Sequence, residues 1–321
     1  MNLDQLAETA QRMVAPGKGI LAADESSSTI KVRFDAIGVE STADNRRDYR
    51  ELLFRSSVAM KKHISGVILY DETLRQNAKD GTPLVKLIEK AGAVPGIKVD
   101  AGAKPLPGCP GEKMTEGLDG LAERLAEYYK LGARFAKWRA VIDINTAGIP
   151  SYTCIKANAH ALARYAALCQ QANIVPIVEP EVLMDGDHDI ARCAEVTEWV
   201  LKEVYQELYY NRVVLEGTVL KPNMVISGKK AKKQASVEEV ATETLKVLKR
   251  CVPIAVPGIA FLSGGQSDVD ATAHLDAMNK IGGFTWGLSF SYGRALQAAP
   301  QKAWAGKAGN VAKAQAAFTH R

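Results

Sequence analysis

Short runs dense in Ile, Val, Leu, Phe and Ala recur along the chain. Each is followed by a longer stretch in which apolar residues return every three or four positions. The runs are GILAADE from Gly19, GVILYDE from Gly66, PGIKVD from Pro95, RFAKWRAV from Arg134, IVPIVEPE from Ile174, GTVLKP from Gly217, GIAFLSGG from Gly258 and FTWGLSFS from Phe284. They read as strands, and Pro176 inside the fifth places that strand's start after it, because proline cannot donate to a ladder. The stretches between read as helices. ADNRRDYRELLFRSSVAMKK is one, with Tyr49, Leu52, Leu53 and Val58 among its apolar positions. GLAERLAEYYKLG puts Leu121, Leu125 and Tyr128 on one stripe and closes on a glycine. The longest run from Tyr152 to Ala172 and from Asp189 to Tyr210. Another starts at Ser236 with Glu239 three residues on, the spacing of a capping box.

Eight β-then-α units in 321 residues predict an α/β fold, a (β/α)8 TIM barrel. The chain reads as a single domain over 1–321, with an N-terminal helix and a C-terminal helical tail after Trp304 whose Ala/Gly/Lys-rich composition leaves it open to fraying. A doubly wound open sheet is the competing fold, weakened because no GxGxxG follows the first strand. The Gly/Pro-rich loop from Val99 to Lys113 follows strand three, on the face where barrels carry their sites.

Composition narrows the setting more than the chemistry. At 47% hydrophobic and 24% charged, the chain is ordinary for a soluble enzyme. No apolar run is long enough for a membrane span, and the N-terminus lacks a secretory apolar core. The five cysteines are widely spaced with no CxxC pair, which fits a reducing, cytoplasmic setting without a disulfide framework. A net charge of +5 suits an anionic metabolite, and no aromatic-plus-basic motif supports nucleic-acid binding.

Polar residues collect where the runs end. Asp24, Glu25 and Ser26 close run one; Lys98 and Asp100 lie at run three; Lys137 and Arg139 at run four. Glu179, Pro180 and Glu181 close run five, Lys221 and Pro222 run six, Ser263, Gly264 and Gly265 run seven, and Ser289 and Ser291 run eight. Lys221 and Glu179 share one device, an ionisable residue directly before a proline. The proline ends the strand and holds the residue before it extended, so Lys221 reads as the last residue of its strand. A desolvated strand-end lysine can become a nucleophile toward carbonyls; a lysine that merely reaches solvent is the bland alternative. Period-two alternation puts Phe135, Lys137, Arg139 and Val141 on one face and Ala136, Trp138 and Ala140 on the other, which would suit helix packing. Two cations on an inward face suit a wet, anion-binding mouth. An exposed strand with Trp138 buried is the alternative.

FLSGGQSD, from Phe261, places two glycines and a serine between strand and helix, where backbone N–H groups can cradle an anion. A plain flexible turn explains the same letters. SYGRAL, from Ser291, sets Gly293 and Arg294 at the last crossover, and barrels often bind phosphate there. Arg33, Lys98 and Arg139 form a second cationic set, so two anion sites would suit a substrate with a phosphate at each end. DGDHD, Asp185 to Asp189, resembles a metal cluster but precedes a long helix, where acids cap N–H groups; the cap is the preferred reading. KKAKK, Lys229 to Lys233, reads as a solvated loop.

GKGILAADES, FAKWR, VPIVEPE, GDHD, LEGTVLKPNM, FLSGGQS and FSYGRALQ, in this order, closely resemble class I fructose-bisphosphate aldolase, from about Gly17 to about Lys307. The resemblance implies a metal-independent, cofactor-free Schiff-base lyase. It would cleave fructose 1,6-bisphosphate to dihydroxyacetone phosphate and glyceraldehyde 3-phosphate in glycolysis and gluconeogenesis. It also implies a cytoplasmic homotetramer. By motif, Lys221 matches the Schiff-base lysine and Glu179 the proton-transfer acid/base. Asp24 matches the carboxylate that orients the C4 hydroxyl, and Lys137 a cation that keeps Lys221 neutral and assists imine formation. Ser263, Gly264, Gly265, Ser291, Gly293 and Arg294 match one phosphate site. Arg33, Lys98 and Arg139 match the other end, with Ser26 beside them.

Many animal and plant members carry a longer C-terminal extension ending in tyrosine, which aids proton exchange on the enamine. This sequence closes on Ala317, Phe318, Thr319, His320 and Arg321. Enamine protonation is therefore expected to use another group, water or the substrate phosphate. Activity on fructose 1-phosphate stays open. The competing functions are a transaldolase-like Schiff-base barrel and a non-catalytic scaffold on the same fold.

Overall fold

The computed structural model describes residues 1–145 and 148–321. Eight parallel strands close into a barrel, each paired with its neighbours in sequence and the last with the first. They are β1 (Gly19–Ala23), β2 (Ile64–Leu69), β3 (Val94–Lys98), β4 (Phe135–Ile142), β5 (Val175–Val182), β6 (Val219–Leu220), β7 (Gly258–Phe261) and β8 (Gly287–Tyr292). Helices lie between them, as the alternation requires for parallel strands.

The barrel interior is apolar at its amino-terminal end. Ile20, Ile68, Phe135, Ile177, Val219 and Ala260 meet there, and Leu6, Ala10 and Met13 of the helix Leu3–Met13 close the floor. Gly96 makes this core possible. A Cβ there would lie 2.3 Å from the Phe135 ring, its partner in register on the next strand. Without side-chain bulk at that position the ring lies across the strand and fills the centre. Carbon atoms pack at about 3.5–4.0 Å, so no other residue fits without moving the ring. The other face of β4 follows the parity argument. Trp138 points outward and stacks on Tyr165 of the helix Tyr152–Gln171, centroids 5.6 Å apart.

Four expectations change. The strand containing Pro176 starts at Val175. The Val175 N–H bonds back to Arg134, so the next residue in the alternation faces β6. That neighbour pairs only from Ile177 with Val219, so no ladder bond is lost at Pro176. The helix expected over ADNRRDYRELLFRSSVAMKK is two, Ala43–Phe54 and Ser57–His63. The break falls where Ser56, at ψ 80, leaves helical geometry; its N–H bonds to Leu53 rather than continuing the i−4 ladder. Val58 is exposed, and Ala59 and Met60 take the buried face. Run eight pairs from Gly287, whose N–H bonds to the Pro257 carbonyl at 3.0 Å, and not from Phe284; Trp286, just before it, donates its indole N–H to the Pro253 carbonyl at 3.1 Å. The terminal helix, open to fraying by its composition, is docked: Ala314 and Phe318 are buried, and Arg321 pairs with Asp268 at 3.3 Å.

Other local readings stand. Ser236 and Glu239 form a complete capping box. Asp189 caps the helix Ile190–Tyr210 by accepting from Arg192 N at 2.8 Å. Asp185 is paired with Lys229 of the basic loop at 2.7 Å. The loop after β3 carries a small antiparallel hairpin, Ala103–Pro105 with Lys113–Thr115, at the carboxyl mouth. All five cysteines are free thiols. Among the described residues, no helix is long and apolar enough to cross a membrane.

Candidate active site

Lys221 lies one residue beyond β6, not within it as expected. Its backbone N–H still bonds to the Val178 carbonyl at 2.8 Å, so the extended path continues. Three further bonds fix it despite the short strand. The Pro222 carbonyl accepts from Leu262 N at 3.1 Å. Asn223 accepts from Val182 N at 3.0 Å and donates to Thr197 at 3.2 Å. Proline loses a donor here but keeps its acceptor, so the loop is stitched to both neighbouring strand ends.

Four ionisable side chains converge at this point. Lys221 Nζ is 3.2 Å from Glu179 Oε1. Lys137 Nζ is 3.5 Å from Glu179 Oε2 and 2.7 Å from Asp24 Oδ2. Lys221, Glu179 and Lys137 are buried and Asp24 is nearly so, its side chain 12% exposed. Two lysine side chains thus face two carboxyl side chains in a largely buried cluster. Burial pushes the Asp24 carboxyl pKa up. The Lys137 charge and hydrogen bond, with Lys221 and Lys98 behind, outweigh burial and hold it at about 2. Burial also works against the Lys137 charge, yet Asp24, Glu179 and Asp100 keep it well above the ordinary lysine range. Glu179 Oε2 lacks a hydrogen-bond partner, as does the buried Ser291 Oγ. Both are polar atoms that a bound substrate could satisfy.

One cation-lined cavity borders the quartet, and a second lies beside it, sharing Arg139. The first, about 240 Å³, is lined by Asp24, Ser26, Arg33, Lys98, Lys137, Arg139 and Gly293. The other, about 510 Å³, is lined by Gly264, Gly265, Arg294, Lys229 and again Arg139. The sequence grouping shifts in two places: Gly293 borders the Arg33 cavity, and Arg139 faces both spaces. Ser263 is buried two residues past β7, directly before Gly264 of the second space. Ser26 lines the first while its hydroxyl caps the helix Ser27–Asp35, accepting from Thr29 N at 3.3 Å.

Arg33, Lys98 and Arg139 are each held by an acid that stands at a strand end in the sequence with no role evident there. Glu25 binds Arg33. Asp100 binds Lys98 at 2.7 Å and accepts from Gly102 N at 3.1 Å. Glu181 binds Arg139. Arg294 instead donates to the Gln266 carbonyl at 2.6 Å, inside the glycine turn. Sequence reasoning misses Asn223; its position directly after Lys221-Pro222 is the available signal. Among the described residues no group of three or more His, Cys, Asp or Glu side chains is placed to hold a metal ion.

The arrangement sets a buried lysine against a carboxyl group and beside a lysine–carboxylate pair, with two cation-lined cavities nearby, a set of groups that could carry out amine attack and proton transfer on a phosphorylated carbonyl compound. Comparison with known proteins identifies the family. Residues 5–321 match the family model "Fructose-bisphosphate aldolase class-I". The chain is 62% identical to the "Probable fructose-bisphosphate aldolase class 1" of Xanthomonas campestris pv. campestris, over 98% of this chain and 94% of that one. It is 56% identical to the fructose-bisphosphate aldolase of Echinococcus multilocularis, over 98% and 87%. Among solved structures, Plasmodium falciparum fructose-bisphosphate aldolase, determined with TRAP and a small molecule inhibitor, superposes with a TM-score of 0.96. The identity is 51% over 99% of this chain and 92% of that one.

Proposed function

The chain belongs to the class-I fructose-bisphosphate aldolase family, a family of carbon–carbon lyases, and from that premise we propose that its quartet cleaves fructose 1,6-bisphosphate through a Schiff base on Lys221. The contact of Lys221 with Glu179, joined through Lys137 to Asp24 and flanked by two anion pockets, carries this reading.

The Lys221 amine attacks the C2 ketone and forms a carbinolamine. Glu179, in contact with the amine, passes a proton to the departing hydroxyl, and water leaves as the iminium forms. Lys137, held charged, stabilises the oxygen as negative charge develops on it. Asp24 orients the C4 hydroxyl, and Glu179 takes its proton. The C3–C4 bond then breaks, its electron pair moving through the iminium to give an enamine on Lys221. Glyceraldehyde 3-phosphate departs. Protonation at C3 and hydrolysis release dihydroxyacetone phosphate and the free lysine.

The two pockets orient the sugar. Asp24 acts at C4 and lines the same cavity as Arg33 and Lys98, so that cavity takes the C4–C6 half and its phosphate. The C1 phosphate then falls to the Gly264–Gly265 turn, at the head of the helix Asp268–Ile281, and to Arg294. The same reading makes the protein a cytoplasmic homotetramer of glycolysis and gluconeogenesis; light scattering at four times the 34.6 kDa chain mass checks the assembly.

Borohydride reduction in the presence of dihydroxyacetone phosphate tests the nucleophile and the substrate together. A triose-phosphate adduct is expected on Lys221 and is absent from Lys221→Met. No adduct at that residue, or complete loss of cleavage on adding a chelator, would overturn the reading.

A further inference from the structure

A fully buried arginine stands behind the first strand end. Arg50 sits on the inward face of the helix Ala43–Phe54, among Tyr49, Leu52, Leu53 and Phe54, and is 1% exposed. A guanidinium in such surroundings is costly unless its N–H groups find partners. Arg50 finds two of them on the loop that leaves β1, while its Nη1 has no hydrogen-bond partner. Its Nε donates to the Ala23 carbonyl at 3.3 Å and its Nη2 to the Glu25 carbonyl at 3.0 Å. The residue between those two carbonyls is Asp24. A forked, planar donor that holds the peptide entering Asp24 and the peptide leaving Glu25 restrains the short backbone segment from which the Asp24 side chain springs.

The same side chain also bears on the first cavity. Arg50 Nη2 faces Glu25 Oε2 at 3.6 Å. Gln297, buried on the helix Arg294–Trp304, donates through Nε2 to the Ala22 carbonyl at 2.6 Å and to Glu25 Oε1 at 2.7 Å. Glu25 Oε1 in turn accepts from Arg33. Two helices from opposite sides of β1 thus grip three backbone carbonyls around Asp24, those of Ala22, Ala23 and Glu25, together with the acid that holds Arg33.

We propose that Arg50 is a positioning residue for the carbon–carbon cleavage step, setting Asp24 through the carbonyls of Ala23 and Glu25 and Arg33 through the Glu25 side chain. This rests on the reading that Asp24 orients the C4 hydroxyl. Arg50 touches neither the substrate nor Lys221. Its loss should therefore spare capture of the ketone and impair scission of the C3–C4 bond.

Two rates measured on the full-length protein separate these steps: cleavage of fructose 1,6-bisphosphate, and borohydride-trapped capture of dihydroxyacetone phosphate at Lys221. Arg50→Met is expected to lower cleavage kcat about 100-fold, the cost of a misplaced reacting group, and to raise KM through Arg33, with capture changed by no more than about twofold. Arg50→Lys, which keeps a buried cation and can reach one carbonyl, should recover part of the cleavage rate. Asp24→Asn is the control and should lower cleavage far more than capture. If it does not, the reading of Asp24 fails. If the control behaves as expected while Arg50→Met cleaves at close to the parent rate, or loses cleavage and capture in parallel, the role of Arg50 is overturned. Should Arg50→Met not fold, Arg50→Lys and Gln297→Met decide on the same two rates: a deficit confined to cleavage supports the proposal, and no deficit or a parallel one refutes it.

Discussion

Gly265→Ala tests whether the glycine turn after β7 is built for phosphate. Gly265 has φ +76, where an alanine costs roughly 1–2 kcal/mol. Its Cβ would fall 2.0 Å from Met184 Cγ and 3.0 Å from Met184 Cβ. Met184 is itself buried, in the loop after β5, so it cannot swing freely into solvent. Either Met184 repacks, at roughly 1–3 kcal/mol for an overpacked site, or the turn moves outward. In the second case the backbone N–H groups lose their aim at the phosphate. One charge-assisted hydrogen bond is worth about 1.5–3 kcal/mol, and each 1.4 kcal/mol is about tenfold in affinity. Gly265→Ala should therefore raise KM for fructose 1,6-bisphosphate by at least about tenfold, with kcat nearly unchanged. At Gly264 the φ is ordinary and the nearest atom is the flexible Met184 Cε at 2.9 Å, so Gly264→Ala should raise KM less. Met184→Ala removes the obstructing Cγ without relieving the φ strain. Steady-state kinetics of the two single variants and the double variant should then give a coupling of at least about 1 kcal/mol, within the range for contacting residues. An unchanged KM in Gly265→Ala would refute the argument. So would effects on KM that simply multiply in the double variant.

Two further predictions concern charge and capping. Asp24 falls from 3.8 to about 2 on folding, which contributes about 2 kcal/mol at neutral pH. Because the folded pKa is the lower one, that stability is present above about pH 4 and disappears as pH falls to about 2. Lys137→Met removes the principal cause, so its stability deficit in urea should be large at pH 7 and shrink toward pH 2.5; a deficit independent of pH would contradict the assignment. Ser236→Ala breaks the capping box at the start of the helix Val237–Cys251, away from the quartet. It should cost about 0.5–2 kcal/mol by urea midpoint and leave cleavage kinetics unaltered.

What the sequence made legible was local and periodic. The alternation of strand-like and helix-like segments gave the barrel, and two-residue parity placed Lys137 inward and Trp138 outward. Capping chemistry located Asp189 and Ser236. What stayed hidden depended on partners distant in the chain. Pro176 looked like a strand break because nothing in its own run shows that β6 begins too late to need its N–H. The break after Phe54 leaves no Gly or Pro behind. Gly96 reads as an ordinary weak strand position until Phe135, 39 residues on in sequence, is seen to fill the space it leaves. Arg50 lies in RDYRELL, where an arginine reads as a solvated helix residue; only the fold shows its fork on the carbonyls around Asp24.

The acids at the strand ends acquire a shared meaning once the pairs are seen together. Arg33, Lys98 and Arg139 would repel one another and Lys137 if left bare at the mouth of a narrow barrel. Each is instead tied to a carboxylate from its own or an adjoining strand end: Glu25, Asp100 and Glu181. Such pairing fixes the cations in place before substrate arrives, so less side-chain entropy is lost on binding. It also makes a phosphate compete for donors that are already engaged, which weakens ground-state affinity. That trade favours turnover: a site that held both phosphates with wholly unengaged cations would bind ground and transition states alike and gain nothing in kcat. Arg139 is where the two demands meet. It faces both pockets, is held by Glu181, and Glu181 Oε1 lies 3.0 Å from where a Gly264 side chain would begin. The acid that restrains the shared arginine thus stands against the glycine turn, so that the turn, Glu181 and Arg139 form one continuous edge of the second cavity.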